Sequence, residues 1–167
     1  MTLLTLERIR QTRGISRTFE STRFDSFEKE ARKTHLKQVI GASLYTDLIN
    51  NPTDAKYVTL LNGEDYVKDK KTIEFSGVLE YLAYAWLFIN ATEGDDFQSN
   101  IGTVNFNQQN QFTQRPGSKS RTFSKYQDAM IIYKNEIIDY LREKKSIYPL
   151  WEGNDKDKRG KYIFISI

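Results

Sequence analysis

The stretch VLEYLAYAWLFINATE, residues 78 to 93, decides the fold of this 167-residue chain. Val78, Leu79, Tyr81, Leu82, Tyr84, Ala85, Trp86, Phe88 and Ile89 leave almost no polar face if the segment is a helix. A helix apolar all round is the buried centre of a bundle or is covered by neighbouring subunits. It is too short to span a bilayer and it carries Glu80,. The fold class expected from it is mainly α: a small helical bundle built around this segment.

A second long helix is expected over 122–144. Phe123, Tyr126, Met130, Tyr133, Ile137, Tyr140 and Leu141 form its apolar stripe, and charged residues fill the other side,. Upstream, Asp25 or Ser26 reads as the N-cap of a helix that runs to Gly41,. Phe27, Ala31, His35 with Leu36, and Val39 with Ile40 fall at helical spacing in it. A short helix follows with Leu44, Tyr45 and Leu48 inward, stopped by Asn50, Asn51 and Pro52,. Another ends at Asn62-Gly63. Between Glu64 and Gly77, Tyr66, Ile73 and Phe75 alternate with charged residues around Asp69-Lys70, which predicts a short β-hairpin,.

Three segments fall outside this pattern. Residues 1–24 hold at most one short helix before Gly14 and are expected to form an N-terminal arm, with 16–24 as linker. A long projecting loop is expected over 95–120, and a C-terminal tail over 152–167, leaving 25–151 as the helical domain,. In the tail, Pro149 and Gly153 precede a charged linker and an apolar end made of Tyr162, Ile163, Phe164, Ile165, Ser166 and Ile167. β-branched and aromatic residues of this kind suit docking on another chain.

Composition narrows the chemistry. Without cysteine there is no disulfide, no thiolate metal site and no Cys nucleophile,. The N-terminus has no long apolar core and meets Glu7 early, so it does not read as a signal peptide,. A net charge of +3 is too small to argue nucleic-acid binding, and the densest basic run (Arg8, Arg10, Arg13, Arg17, Arg23) is interrupted by Glu7 and Glu20,. His35 is the only histidine, flanked by Lys33 and Lys37, and reads as a surface or boundary residue. No Walker loop, dinucleotide fingerprint or G-x-S-x-G elbow is present,. Glu93, Asp95 and Asp96 supply oxygen ligands in principle but read as a solvated helix end,. Asp155 and Asp157 alternate as in a calcium loop, but lysines interrupt them and the distal Glu is missing,. The expectation is therefore no catalytic residue, no metal and no cofactor.

The segment from Phe97 to Gln114 carries no charge, although 28% of the chain is Asp, Glu, Lys or Arg. Gln and Asn alternate there with Ile101, Val104, Phe106 and Phe112, and Gly102 or residues 107–110 offer places to turn a hairpin. Neutral, amide-rich strands pair edge to edge, a hazard in a monomer and a lock in a closed ring. A wall of amides around a DNA channel also neither grips nor strongly repels phosphate. Ile101, Val104, Phe106, Asn107, Gln109 and Phe112 are the candidate interface or lumen residues.

Four stretches (FEKEARKTHLKQVIGASLYTDL, LLNGEDYVKDKKTIEFSGV, LEYLAYAWLFIN and KNEIIDYLREKKSIYPLW), together spanning roughly residues 25 to 151, resemble the head–tail connector (adaptor) proteins of tailed bacteriophages, in the version found in crAss-like and other Bacteroidetes phages. The N-terminal arm has no counterpart in that pattern, and the part after Trp151 is longer. The resemblance implies a structural virion protein with no enzymatic activity, assembled in the host cytoplasm and located at the head–tail interface. Its implied partners are further copies of itself in a ring, commonly a dodecamer, the portal protein above it, and other tail or connector rings. Double-stranded DNA would pass through without sequence-specific contact, and no membrane is involved. Two other readings are open: a non-viral helical protein-interaction module, and a small metal-dependent hydrolase or nuclease using the Glu93, Asp95 and Asp96 cluster.

Overall fold

The protein is described by a computed structural model covering residues 2–13, 21–93, 98–99, 102–103 and 118–153. Among these the fold is mainly helical. In chain order the elements are α1 (Leu6–Arg13), α2 (Ser21–Glu30), a π-helical segment (Ala31–Leu36), α3 (Lys37–Ile40), α4 (Ala42–Asn50), α5 (Ala55–Asn62), β1 (Glu64–Lys68), β2 (Lys71–Phe75), α6 (Val78–Glu93), β3 (Gln98–Ser99), β4 (Gly102–Thr103) and α7 (Ser118–Glu143).

Helix α6 is the centre of the bundle, as its all-round apolar sequence predicts. Residues 81–87 and Ile89 are buried within the single chain, and Trp86, Leu82 and Ala85 are fully inaccessible. Helices α1, α2, α5 and α7 and the π segment all pack on it. Trp86 takes the edge of Phe27 and a tilted contact from Phe24, with ring centroids at 6.2 and 5.7 Å. Its indole Nε1–H donates to the Phe24 carbonyl at 3.3 Å, so the polar tip of a buried Trp is satisfied.

Helix α2 starts at Ser21, earlier than the Asp25 or Ser26 cap that the sequence predicts and inside the expected linker. The cause is tertiary: Phe24 is buried against Trp86 and its carbonyl is in use. The N-terminal segment also departs from a projecting arm. Leu4 and Ile9 are buried, and the Leu3 N–H donates to Glu28 Oε1 at 2.9 Å. Glu28 is itself inaccessible and pairs with Arg32 Nε at 2.7 Å. A buried carboxylate needs such partners, because an unpaired charge there costs about 3–5 kcal/mol. One carboxylate thereby ties the start of the chain to α2.

The π segment has a packing cause as well. The buried apolar positions run Phe24, Phe27, Ala31, Leu36, Val39 and Ile40, with one step of five between Ala31 and Leu36. A π turn absorbs that extra residue and keeps Leu36 on the core side. His35 is left half-buried, edge-on to Phe88 with centroids 6.0 Å apart. Its pKa is lowered by that burial, and it is a boundary residue, as expected.

The hairpin forms as predicted. β1 and β2 are antiparallel in the register Glu64↔Phe75, Tyr66↔Ile73 and Lys68↔Lys71, with Tyr66 and Phe75 inward. Asp69 and Lys70 at the tip both have positive φ, 51° and 64°, the pattern of a two-residue type I′ turn. Among the described residues no helix is long and apolar enough to cross a membrane.

Candidate functional site

The uncharged segment hangs on α6 and α7. Tyr84 stacks on Tyr133 (5.3 Å) and meets Tyr126 edge-on (6.4 Å), while the Ser76 N–H approaches Glu136 Oε2 at 3.4 Å. These contacts make the two helices antiparallel, so the C-terminus of α6 and the N-terminus of α7 lie at one end of the bundle. Burial first, then the neighbouring Tyr84, Glu80 and Glu136, push the Tyr133 hydroxyl up to about 12, so it remains a neutral hydrogen-bonding group. Within the segment, β3 and β4 pair antiparallel as Gln98↔Thr103 and Ser99↔Gly102, so the chain reverses beside Gly102. Ile101, Val104, Phe106, Asn107, Gln109 and Phe112 lie outside the described residues, as do Asp95, Asp96, Asp155, Asp157 and the tail residues Tyr162, Ile163, Phe164, Ile165 and Ile167. Helix α7 begins at Ser118, within the range expected for the loop.

The opposite end of the pair carries the hairpin, held by groups that sequence reading did not single out. Tyr140 is central to it. Its ring stacks on Phe75 at 4.0 Å and stands edge-on to Tyr66 at 5.4 Å. Its hydroxyl donates to Glu64 Oε1 at 2.7 Å. Burial, then that bond to a carboxylate, raise the Tyr140 pKa strongly. Lys144 Nζ lies 3.4 Å from the same oxygen, and Lys68 pairs with Glu143 at 3.2 Å. The base of the hairpin is a close backbone crossing. Gly63 and Gly77 have φ of +88° and +87°, and a Cβ on Gly63 would lie 2.1 Å from the Phe75 carbonyl oxygen. A Cβ on Gly77 would meet the Leu61 carbonyl at 2.5 Å. Only glycine fits both demands.

Beside this crossing is an open cleft of about 540 Å³ lined by Arg8, Glu64, Asp65, Glu74, Glu80 and Tyr133, among others. Two of its four carboxylates, Glu80 and Glu64, already have structural roles. Glu80 accepts from Thr12 Oγ1 at 3.3 Å and faces Arg8 at 3.8 Å, and Glu64 serves Tyr140 and Lys144. Asp65 and Glu74 are direct cross-strand partners on the outer face, a like-charge pair that weakens the strand contact slightly. Among the described residues no group of three or more His, Cys, Asp or Glu is arranged to hold a metal ion.

A third polar cluster closes the C-terminal end of the domain. The Tyr57 hydroxyl donates to Asp47, which also accepts from Asn51 Nδ2 at 2.7 Å and pairs with Lys56 at 3.3 Å. The Tyr57 bond, followed by those of Asn51 and Lys56, lowers the Asp47 pKa. Tyr148 is buried against Tyr57, and its hydroxyl donates to the Lys56 carbonyl at 2.7 Å. The chain then leaves the domain past buried Trp151, with Glu152 Oε1 accepting from Ser43 Oγ at 3.1 Å. The bonds that join distant elements (Tyr140 to Glu64, 76 positions apart, and Tyr148 to Lys56, 92 apart) have no local spacing to signal them.

No curated protein and no solved structure matches the chain. A family model does match, over residues 36–161, from the π segment through α7 and into the charged linker that precedes the last six residues. The match takes in α4, α5, the hairpin, α6 and α7 and covers well over half of the sequence, so the chain belongs to the DUF6712 family, a family of unknown function.

Proposed function

We infer that this chain is a structural, non-enzymatic subunit of a ring: a head–tail connector of a tailed bacteriophage that sits below the portal and continues the DNA channel. The observation that carries the reading is the uncharged run from Phe97 to Gln114, attached to one end of a rigid antiparallel helix pair. A segment of that length without charge suits contact with neighbouring copies or a neutral channel wall better than a solvated surface. The resemblance over residues 25–151 and the small helical domain with its hairpin are consistent with it. The ring would hold its neighbours through this loop and the C-terminal end, with the portal and further tail rings as axial partners.

Mass measurement and electron microscopy of the purified chain, alone and co-expressed with portal protein, test the reading. A closed ring with a mass about twelve times 19.6 kDa is the expected species. A monomer or dimer at every concentration, with no seat on the portal, would instead favour a helical protein-interaction module.

A further inference from the structure

Val58, Ile147 and Leu150 are apolar side chains left 44%, 45% and 43% exposed. They sit on two adjoining segments: α5 and the turn that follows α7. The Tyr148 hydroxyl bond to the Lys56 carbonyl and the contact of the Tyr57 and Tyr148 rings join these segments. Tyr148 and Trp151 are buried, and the Trp151 N–H donates to the Tyr148 carbonyl at 3.0 Å. The backbone under Ile147 and Leu150 is therefore anchored beside α5, and their side chains are exposed on fixed segments.

Beyond Gly153 the chain continues through residues 154–161, six of them charged, to a hexapeptide of five apolar residues and one Ser. We propose that the hexapeptide, residues 162–167, of one copy docks on the Val58, Ile147 and Leu150 platform of a second copy. This rests on the ring reading above and names one of the surfaces that would join its subunits. The length of chain argues for the neighbour. From Gly153 to Tyr162 it reaches at most about 30 Å. A domain of this size has a radius of gyration of about 14 Å, so that reach matches a step to the next copy. Returning to the chain's own platform, three to six residues upstream of the exit, needs far less. The charged linker keeps to water while the apolar end is buried, and the hexapeptide lies just past the end of the family match at residue 161.

The chain has no cysteine, so disulfide trapping has a clean background. Two singly substituted full-length chains with different tags, Leu150→Cys and Ile165→Cys, are mixed and mildly oxidised. The expected product is a disulfide between the two chains, strongly reduced when Val58→Asp is added to the Leu150→Cys chain. Deleting residues 162–167 should raise the concentration needed for assembly about tenfold or more, with an unchanged helical melting curve. Closure within one chain in the doubly substituted protein, with no product between chains, overturns the proposal. So do rings that form unchanged after the deletion, and that result leaves the ring reading standing. A full-length chain that stays monomeric removes the ring reading itself and this inference with it.

Discussion

The two halves of α7 are covered to different extents. In the C-terminal half, Ile137, Ile138, Tyr140 and Leu141 are buried, and Glu136, Tyr140, Glu143 and Lys144 all reach the hairpin or its base. In the preceding stretch, from Tyr126 to Tyr133, Tyr126, Ala129, Met130 and Tyr133 are only partly buried, and Ile131 and Ile132 are each 57% exposed. Helix α6 starts at Val78, close to the level of Glu136, and beyond that point α3 and the hairpin strand β2 pack on α7 instead. At one end a hairpin supplies a second layer. The other end bears the uncharged segment. Strong cohesion at the hairpin end leaves the other end free to be specified by function.

Substitutions along the helix put numbers on that contrast. Leu141→Ala removes a fully buried side chain and should cost about 2–5 kcal/mol, whereas Met130→Ala should cost about 1 kcal/mol because only part of the side chain leaves water. Denaturant unfolding of both variants measures the difference, and equal losses would erase the distinction between the two halves. A smaller effect is expected from Tyr140→Phe, which keeps the ring stack and removes only the bond to Glu64. A bond to a carboxylate at a part-buried site is worth about 1–2 kcal/mol. A double-mutant cycle with Glu64→Gln should recover most of that figure as coupling. Additive effects would mean that the aromatic stack alone holds the hairpin.

The smallest effect belongs to the loop end, where His35 reports partial burial beside Phe88. Its pKa is lowered from 6.5 by desolvation, so the folded protein binds fewer protons than the unfolded chain in the window just below 6.5. The stability tied to neutral His35 is complete above about pH 6.5, declines as pH falls through that window, and levels off below the folded pKa. Comparing the pH dependence of stability with that of His35→Gln isolates the term. Coincident curves would place the imidazole in water and make the loop end more open than described.

Much of this was legible in the sequence where the signal is local. The all-round apolar run at 78–89 gave the central helix, and alternation about Asp69-Lys70 gave the hairpin. Phe24 and Ile9 were not legible as core, because each lies in a segment rich in charged and hydroxyl residues whose packing partner, α6, lies far away in the chain. The sequence reads Ala31 to His35 as an ordinary helical step, and only packing on α6, which buries Leu36 and leaves His35 at the boundary, makes a π turn there. The polar pins were hidden for the same reason, since a carboxylate at 64 and a tyrosine at 140 carry no mutual spacing rule. The residues expected to carry function, in the neutral loop and the tail, all lie outside the described residues; of the two places expected to turn a hairpin, Gly102 pairs with Ser99 in a short antiparallel ladder.

The Gly63 and Gly77 crossing makes the hairpin a closed excursion: the chain enters and leaves at one point, where the two backbones touch. Whatever happens to the length of the excursion need not be transmitted to α5 or α6, because their relative positions are set at the crossing and not at the tip. The tip is thus a natural place to lengthen the chain, for a fluorophore, an affinity tag or a lineage-specific extension. The same insertion between Ala31 and Leu36, where the helix already carries a π turn between buried residues, would displace the core.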